Sequence, residues 1–244
     1  MNLEQAGRFK DAPWFPLDEV NTIVGGVGGI GSWLTLMLAR AGFIPMVYDF
    51  DTFEIHNMSG QLVPERLIGK IKVEAVAEVV KDFTGTTIHT FNEKYTAESM
   101  SHHYVFSGFD NMQARKDMFS AWCDYVKEWQ NENDAIIEST DGEGEINMEV
   151  PIFIDGRLLM EQLQIFCVTP DKISEYEKHL FDDAEVAEAP CTLKQTSHSA
   201  AMIASHMVGF FTNHMTNVYA KDVIRNVPFQ WEYFIPLDLI TVEE

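Results

Sequence analysis

Residues 20–25, VNTIVG, form a short apolar run that breaks directly into GVGGIGS and then into SWLTLMLARAG. The run reads as a buried strand. The segment after it spaces its apolar residues helically and ends at Gly42, a natural helix stop. Between them Gly26-Val27-Gly28-Gly29-Ile30-Gly31-Ser32 satisfies G-x-G-x-x-G. Gly26, Gly28, Gly29 and Gly31 permit a tight turn and bring backbone close to a phosphate that faces the helix N-terminus. The plainer reading is a glycine turn that only packs helix on strand. Asp49 and Asp51 close the next apolar run, IPMVYDF, 18 and 20 residues beyond Gly31. An acidic side chain there can accept hydrogen bonds from ribose hydroxyls, or can simply be a solvated turn aspartate. No G-x-x-x-x-G-K-[ST] occurs, so a P-loop NTPase is not supported. On these residues alone NAD and ATP are both open.

The rest of the chain continues the alternation. The spacing predicts a long helix over 64–82, strands at TTIHTF and HYVFSGF, and an amphipathic helix in DNMQARKDMFSAWCDYVKEW. PIFIDGRLLMEQLQIFCV reads as two strands around an Asp155-Gly156 turn, a helix is expected over 198–218, and PFQWEYFIPLDLITV supplies a late strand or two. Strands alternating with helices of this length imply parallel pairing. The expected fold is α/β, a Rossmann-like doubly wound, mostly parallel sheet with helices on both faces and a C-terminal strand/helix extension. It is expected as one domain over 1–244, with a nucleotide-binding core at about 18–125, an acidic insertion at about 130–150, and a crossover loop and C-terminal part at about 151–244.

A formal charge of −21 repels phosphate backbones and anionic lipid, which counts against direct nucleic-acid or membrane binding and tolerates a basic or neutral partner. Cys123, Cys167 and Cys191 are too few and too scattered for a disulfide framework, and the N-terminal MNLEQAGRFKDAPW lacks the features of a secretory signal. The expected location is cytoplasmic.

Asp49-Phe50-Asp51-Thr52, then Asn57, Gln61, Gly69 with Lys72-Val73-Glu74, and later Asp110-Asn111 with Arg115, closely resemble the ThiF/HesA/MoeB family, bacterial relatives of ubiquitin-activating enzymes. The doubled glycine Gly28-Gly29 is also similar to that family, and the match is detailed over about residues 20–120. The resemblance implies ATP-dependent adenylation of the C-terminal glycine of a ubiquitin-like or sulfur-carrier protein ending in Gly-Gly, with release of pyrophosphate. It places Asp49 on the ribose, Asn57, Gln61 and Lys72 around the phosphates, and Asp110 on Mg²⁺ beside Asn111. Read without the resemblance, Lys72 is a solvated helix charge and Asp110-Asn111 a helix cap. Arg8 resembles the N-terminal arginine that reaches the other subunit's ATP site in the family, which implies a homodimer; the alternative is an ordinary exposed arginine.

The chain departs from the pattern in two places. The family string N-x-x-R-Q reads Asn57-Met58-Ser59-Gly60-Gln61, so a bidentate phosphate contact is missing, and Arg66 in the neighbouring turn is the candidate substitute. The paired C-x-x-C motif of relatives is absent, so no zinc is expected. Cys191, in Ala189-Pro190-Cys191-Thr192, resembles a crossover-loop cysteine that forms a thioester or persulfide, against a small packing residue as the alternative. Cys123 and Cys167 read as core. His198, His206 and His214 recur every eight residues, a spacing too wide for joint metal ligation on one helix. Three rivals remain: an NAD-dependent oxidoreductase, which leaves Lys72 and Asp110 unexplained; a silent partner-binding module, supported by Gly60; and a tRNA-modifying relative, opposed by the charge.

Overall fold

The computed structural model describes residues 7–15, 19–139, 149–182, 196–220 and 224–244, without the side chains of Arg8 and Glu138. Its strands are β1 (Asn21–Gly25), β2 (Ile44–Tyr48), β3 (His89–Phe91), β4 (Tyr104–Ser107), β5 (Ile152–Leu159), β6 (Gln162–Val168), β7 (Gln230–Phe234) and β8 (Leu239–Glu243). The main helices are α1 (Gly29–Ala41), α2 (Lys72–Thr84), α3 (Met112–Ser139) and α4 (Ser197–Tyr219). One sheet holds all these strands in the order β3-β2-β1-β4-β5-β6-β7-β8. β3 through β5 in that order pair in parallel, and β5 through β8 pair antiparallel. The expected mostly parallel, doubly wound fold with a C-terminal extension is what the chain adopts.

The central strands β1, β4 and β5 carry apolar residues on both of their faces because both faces of the sheet are covered there. Neighbouring residues point to opposite faces, so Val24, Phe106 and Ile154 join the core beneath α1, α2 and α4. Ile23, Val105 and Phe153 join the core beneath α3, with Phe119, Trp122 and Tyr176. Phe211 of α4 seals the first core, its ring centroid 4.7 Å from Phe43, 5.2 Å from Tyr104 and 5.1 Å from Phe106.

Three expectations fail for local reasons. The helix expected over 64–82 is a short 3-10 turn, Glu65–Leu67, followed by α2 from Lys72. Gly69 at φ +89 turns the chain and Ile71 bridges Thr52, so the helix cannot begin earlier. The acidic stretch from 130 is still α3 as far as Ser139, because Glu, Gln and Ala are sound helix formers whatever their net charge. Residues 140–148 lie outside the described residues. Asp155-Gly156 is no turn: Asp155 pairs Phe166 and Gly156 pairs Ile165 in mid-strand, and the chain reverses at Met160, φ +58. Gly156 leaves room there for α4: a Cβ would come within 2.5 Å of the Met207 sulfur, and that side chain would have to shift.

Candidate active site

β1 delivers the chain to the carboxyl edge of the parallel strands, where Gly26 turns it at φ +77. Gly31 lies under this turn: a Cβ on it would meet the Gly26 carbonyl at 1.8 Å, so only glycine lets helix and loop touch. Gly28 precedes the first residue of α1, Gly29, leaving the first amides of that helix facing outward.

Asp49, one residue past β2, holds this loop in place. Its two oxygens accept N–H bonds from Val27 and Asp51, each at 2.9 Å. A carboxylate has about four lone-pair sites, so half of its acceptor capacity stays open. Burial pushes the Asp49 carboxyl above its usual range, against the opposing pull of Lys72 and the two amides.

Lys72 is the first residue of α2, where a cation runs against the helix dipole. Its buried ammonium donates to Asp51 at 2.8 Å. A cation set at the wrong end of a helix and folded over a cleft breaks a local rule in the manner of a functional site. Asn57 and Gln61 come from the 3-10 turn Ile55–Ser59 and the residues just after it. Asn57 accepts the Glu54 N–H at 2.8 Å, and so closes its own turn. The Gln61 side-chain carbonyl is buried without a hydrogen-bond partner, and its amide lies 3.9 Å from where a Gly28 Cβ would stand. Two residues of α1 clasp this turn. The Trp33 indole donates to the Gly60 carbonyl at 3.0 Å, and the Ser32 hydroxyl accepts the Leu62 N–H at 2.9 Å.

Beyond β4, Asn111 accepts the Ala114 N–H at 2.8 Å and caps α3 as the cap reading expected, while its amide reaches Asp110 at 3.3 Å. Asp110 itself is exposed. Arg115, one turn into α3, donates to the Phe109 and Gly156 carbonyls and to Asp155. Asp155 is fully buried and also accepts from Arg157 at 2.7 Å and the Tyr176 hydroxyl at 2.8 Å. Burial alone would raise its carboxyl, but the two guanidiniums hold it below the usual range.

A single cleft of about 750 Å³ brings these pieces together. Gly26, Gly28, Gly29, Asp49 and Asp51 line it, with Asn57, Gln61, Lys72, Asp110 and Asn111; Gly31 supports it from below. Other sequence expectations fall elsewhere. Arg66 does not replace the missing arginine: it is ion-paired to Glu78 and Asp82 along α2, outside the cleft. Arg8 lies in the short turn Gly7–Phe9, and its side chain and Cys191 lie outside the described residues. Burial pushes the Cys123 thiol up to about 12 and raises Cys167 as well, so neither is a ready nucleophile. His206 stacks on Trp231 at 4.4 Å while His214 is buried against the Val150 carbonyl, so the histidines of α4 do not converge. Among the described residues no group of three His, Cys, Asp or Glu is placed to hold a metal.

The cleft also contains residues that motif reading passed over. His56 and Lys94 line it, and the hairpin tip Leu158-Leu159-Met160 forms one lip. Lys94 lies three residues beyond β3, at the same sheet edge as Asp49 and Asp110, and that position was the available signal.

The model of the ThiF family matches residues 8–231. The chain belongs to the ThiF family. A tRNA threonylcarbamoyladenosine dehydratase of Haemophilus influenzae is 29% identical to this ThiF protein over 116 residues, 44% of each chain. The chain thus aligns with under half the length of that relative. Among solved structures, PaaA superposes with a TM-score of 0.70 at 16% identity, over 99% of this chain and 73% of that one. Escherichia coli MccB with ATP superposes at 0.63 and 11% identity, over 99% and 68%. Escherichia coli TcdA, a tRNA N6-threonylcarbamoyladenosine dehydratase, gives 0.60 and 15%, over 89% and 95%. At these identities the superpositions establish the ThiF fold of the chain. No helix among its described residues is long and apolar enough to cross a membrane.

Proposed function

We propose that this ThiF protein adenylates the C-terminal carboxylate of a small ubiquitin-like or sulfur-carrier protein. The observation that carries the reading is the convergence, in one cleft, of the glycine turn, Asp49, Lys72 and Asp110, with a buried Gln61 side-chain carbonyl that finds no donor among the described residues. These residues fit a nucleoside triphosphate: outward helix amides for phosphate, spare acceptors on Asp49 for ribose, and the Lys72 point charge. They fit Mg²⁺ only as a shared ion. Asp110 is one carboxylate, which suits a cation that keeps its waters and takes its remaining ligands from phosphates.

ATP, as second substrate, supplies the α-phosphoryl group. The partner's carboxylate oxygen bonds to the α-phosphorus as the bond to the bridging oxygen breaks, leaving an acyl-adenylate and pyrophosphate. Positioning and charge neutralisation are what the protein contributes. The first amides of α1 and Lys72 would hold the phosphates, Asn57 and Gln61 would orient them, and Asp110, steadied through Arg115 and the Phe109 carbonyl, would hold the Mg²⁺ that offsets their charge. Cys191 would take the acyl group in a later transfer, and Arg8 would complete the site across a two-fold homodimer. The relative from Haemophilus influenzae is named for action on tRNA; a −21 chain disfavours that substrate here.

The experiment is ATP–pyrophosphate exchange with and without ubiquitin-like proteins ending in Gly-Gly. Exchange that depends on such a protein supports the reading. A thermal shift by ATP with Mg²⁺ but no exchange with any of them would favour a silent binding module, the reading that Gly60 supports. A shift by NAD alone would overturn nucleotide assignment and function together.

A further inference from the structure

The last strand of the sheet is bare. Among the described residues β8 pairs β7 on one side only and ends the strand order, so no described strand takes up its outer row of N–H and C=O groups. Its side chains are uncovered on both faces. Leu239, Ile240 and Val242 are 51%, 54% and 52% exposed, and Leu237 beside them is 68% exposed. A long apolar edge of this kind is normally blunted by lysine, proline or a bulge, and β8 has none of these. Acids flank it instead. Asp238 precedes the strand, Glu243 ends it and Glu244 follows, and these three take part in none of the ion pairs among the described residues. Lys172 is the cation that touches this edge, through the Glu244 carbonyl at 3.0 Å.

We propose that β8 is the docking edge for the partner protein, which adds an antiparallel strand with apolar centre and basic flanks. Charge decides against a second copy of this chain as the occupant. Two β8 strands paired antiparallel about Thr241 would set Asp238 against Glu244 of the copy and Leu239 against Glu243, within two chains each of net charge −21. A lysine- or arginine-flanked strand meets the same acids with attraction.

The direction of the added strand ties the edge to the cleft. Leu159, Gln162, Phe234 and Leu239 are successive partners across β5 to β8, and Leu159 lines the cleft. A strand antiparallel to β8 ends beside Leu239, on that row. Four strand spacings of about 4.8 Å then separate it from the cleft lip, roughly 19 Å in all. An extended tail of about six residues covers that distance. The inference rests on the adenylation reading for the use made of the tail, while the docking edge itself stands apart from it.

The test uses a synthetic β-hairpin whose outer strand is Ile-Thr-Val flanked by lysines, and a control hairpin with glutamates in their place. At low salt the lysine hairpin is expected to bind the whole chain at least about tenfold more tightly than the control. It should protect the amides of 239–243 from hydrogen exchange, and both effects should vanish in an Ile240→Lys, Val242→Lys variant with unchanged circular dichroism. Equal binding of the two hairpins, or protection that maps away from β8, overturns the proposal. So does a dimer in light scattering that the same variant dissociates, since a second copy would then be the occupant. The thermal shift by ATP with Mg²⁺ is read on the same samples. Lost ATP binding with intact hairpin docking sinks the adenylation reading alone, and the reverse sinks the docking edge alone.

Discussion

Asp49, just past the end of β2, and Asp155, within β5, are both buried carboxylates, and the chain treats them in opposite ways. Asp155 is surrounded by partners of its own fold, Arg115, Arg157 and Tyr176, and is held ionised below the usual carboxylate range. Asp49 receives two backbone amides and no directly bonded cation, and burial pushes its carboxyl up. The first is a closed structural knot; the second accepts two amides and has acceptor capacity left over at the cleft. Polar groups that a fold leaves under-satisfied at a cleft are candidates for ligand contact, and groups it saturates are candidates for stability.

Asp155→Ala tests the closed side and carries the largest expected effect. Removing one partner of a buried ion pair costs about 3–5 kcal/mol, because two guanidiniums are left without their carboxylate. Denaturant titration measures it. The pH dependence has a definite sign. A carboxylate depressed in the folded state contributes stability that is present above its unfolded value of about 3.9 and is lost as pH falls through the folded value. The wild-type protein should therefore lose stability on acidification below about pH 4 more steeply than Asp155→Asn. Parallel curves would mean that Asp155 is not the closed knot described.

Lys72→Met tests the open side. One charged phosphate-site contact is worth roughly 10²–10³ in rate, so exchange should fall by that factor. Its partner Asp51 is about half exposed, so stability should change by less than about 1 kcal/mol. A melting temperature that drops as far as that of Asp155→Ala would erase the distinction between the two sides. Asp110→Ala should likewise remove exchange and leave the fold intact. Cys191→Ala should leave exchange near wild type and abolish only a thiol-sensitive adduct with the partner. Collapse of exchange in Cys191→Ala, with unchanged circular dichroism, would show that division of labour to be wrong.

Asp49→Asn is expected to have a smaller effect. Asparagine offers one acceptor where two amides need one each, and a hydrogen bond to a charged group is worth about 1.5–3 kcal/mol, so ATP affinity should fall about tenfold or more. Because the Asp49 carboxyl is raised, its share of stability declines as pH rises through the folded value, the opposite slope to Asp155. The asparagine variant should lack that decline above about pH 4.

The same contrast explains what the sequence made legible. The glycine turn, the apolar strands and Asp49 are local: each is encoded by a few consecutive residues whose geometry follows from sterics and period. Gly26, Gly28, Asp49, Lys72 and Asp110 therefore came together in one cleft as their order along the chain implied. Asp155-Gly156 misled because its dipeptide is a turn signal only when no partner strand claims it, and β6 does. Arg66 misled because sequence distance to Gln61 says nothing of Glu78 and Asp82, which arrive from α2. The closed knot around Asp155 draws in Arg115 from 40 positions before it and Tyr176 from 21 positions after it, beyond any local pattern.

The smallest effect is the sharpest test of the open side. Asp51 was expected beside the ribose, yet it holds the Lys72 ammonium at 2.8 Å. If Asp51 stands in for phosphate when no nucleotide is present, it competes with the ligand for that cation. Asp51→Asn then frees Lys72 and should tighten ATP binding by roughly two- to fivefold, since a half-exposed ion pair is worth about 1 kcal/mol or less. If Asp51 instead accepts from a ribose hydroxyl, the same change should weaken ATP by a similar factor. Salt separates the two further. Loss of a competing ion pair leaves ATP binding resting more heavily on Lys72 and therefore more salt-sensitive, whereas loss of a ribose contact leaves the salt slope unchanged. Calorimetric titration of ATP with Mg²⁺ at two ionic strengths reads both signs, and weaker binding with an unaltered slope would return Asp51 to the ribose.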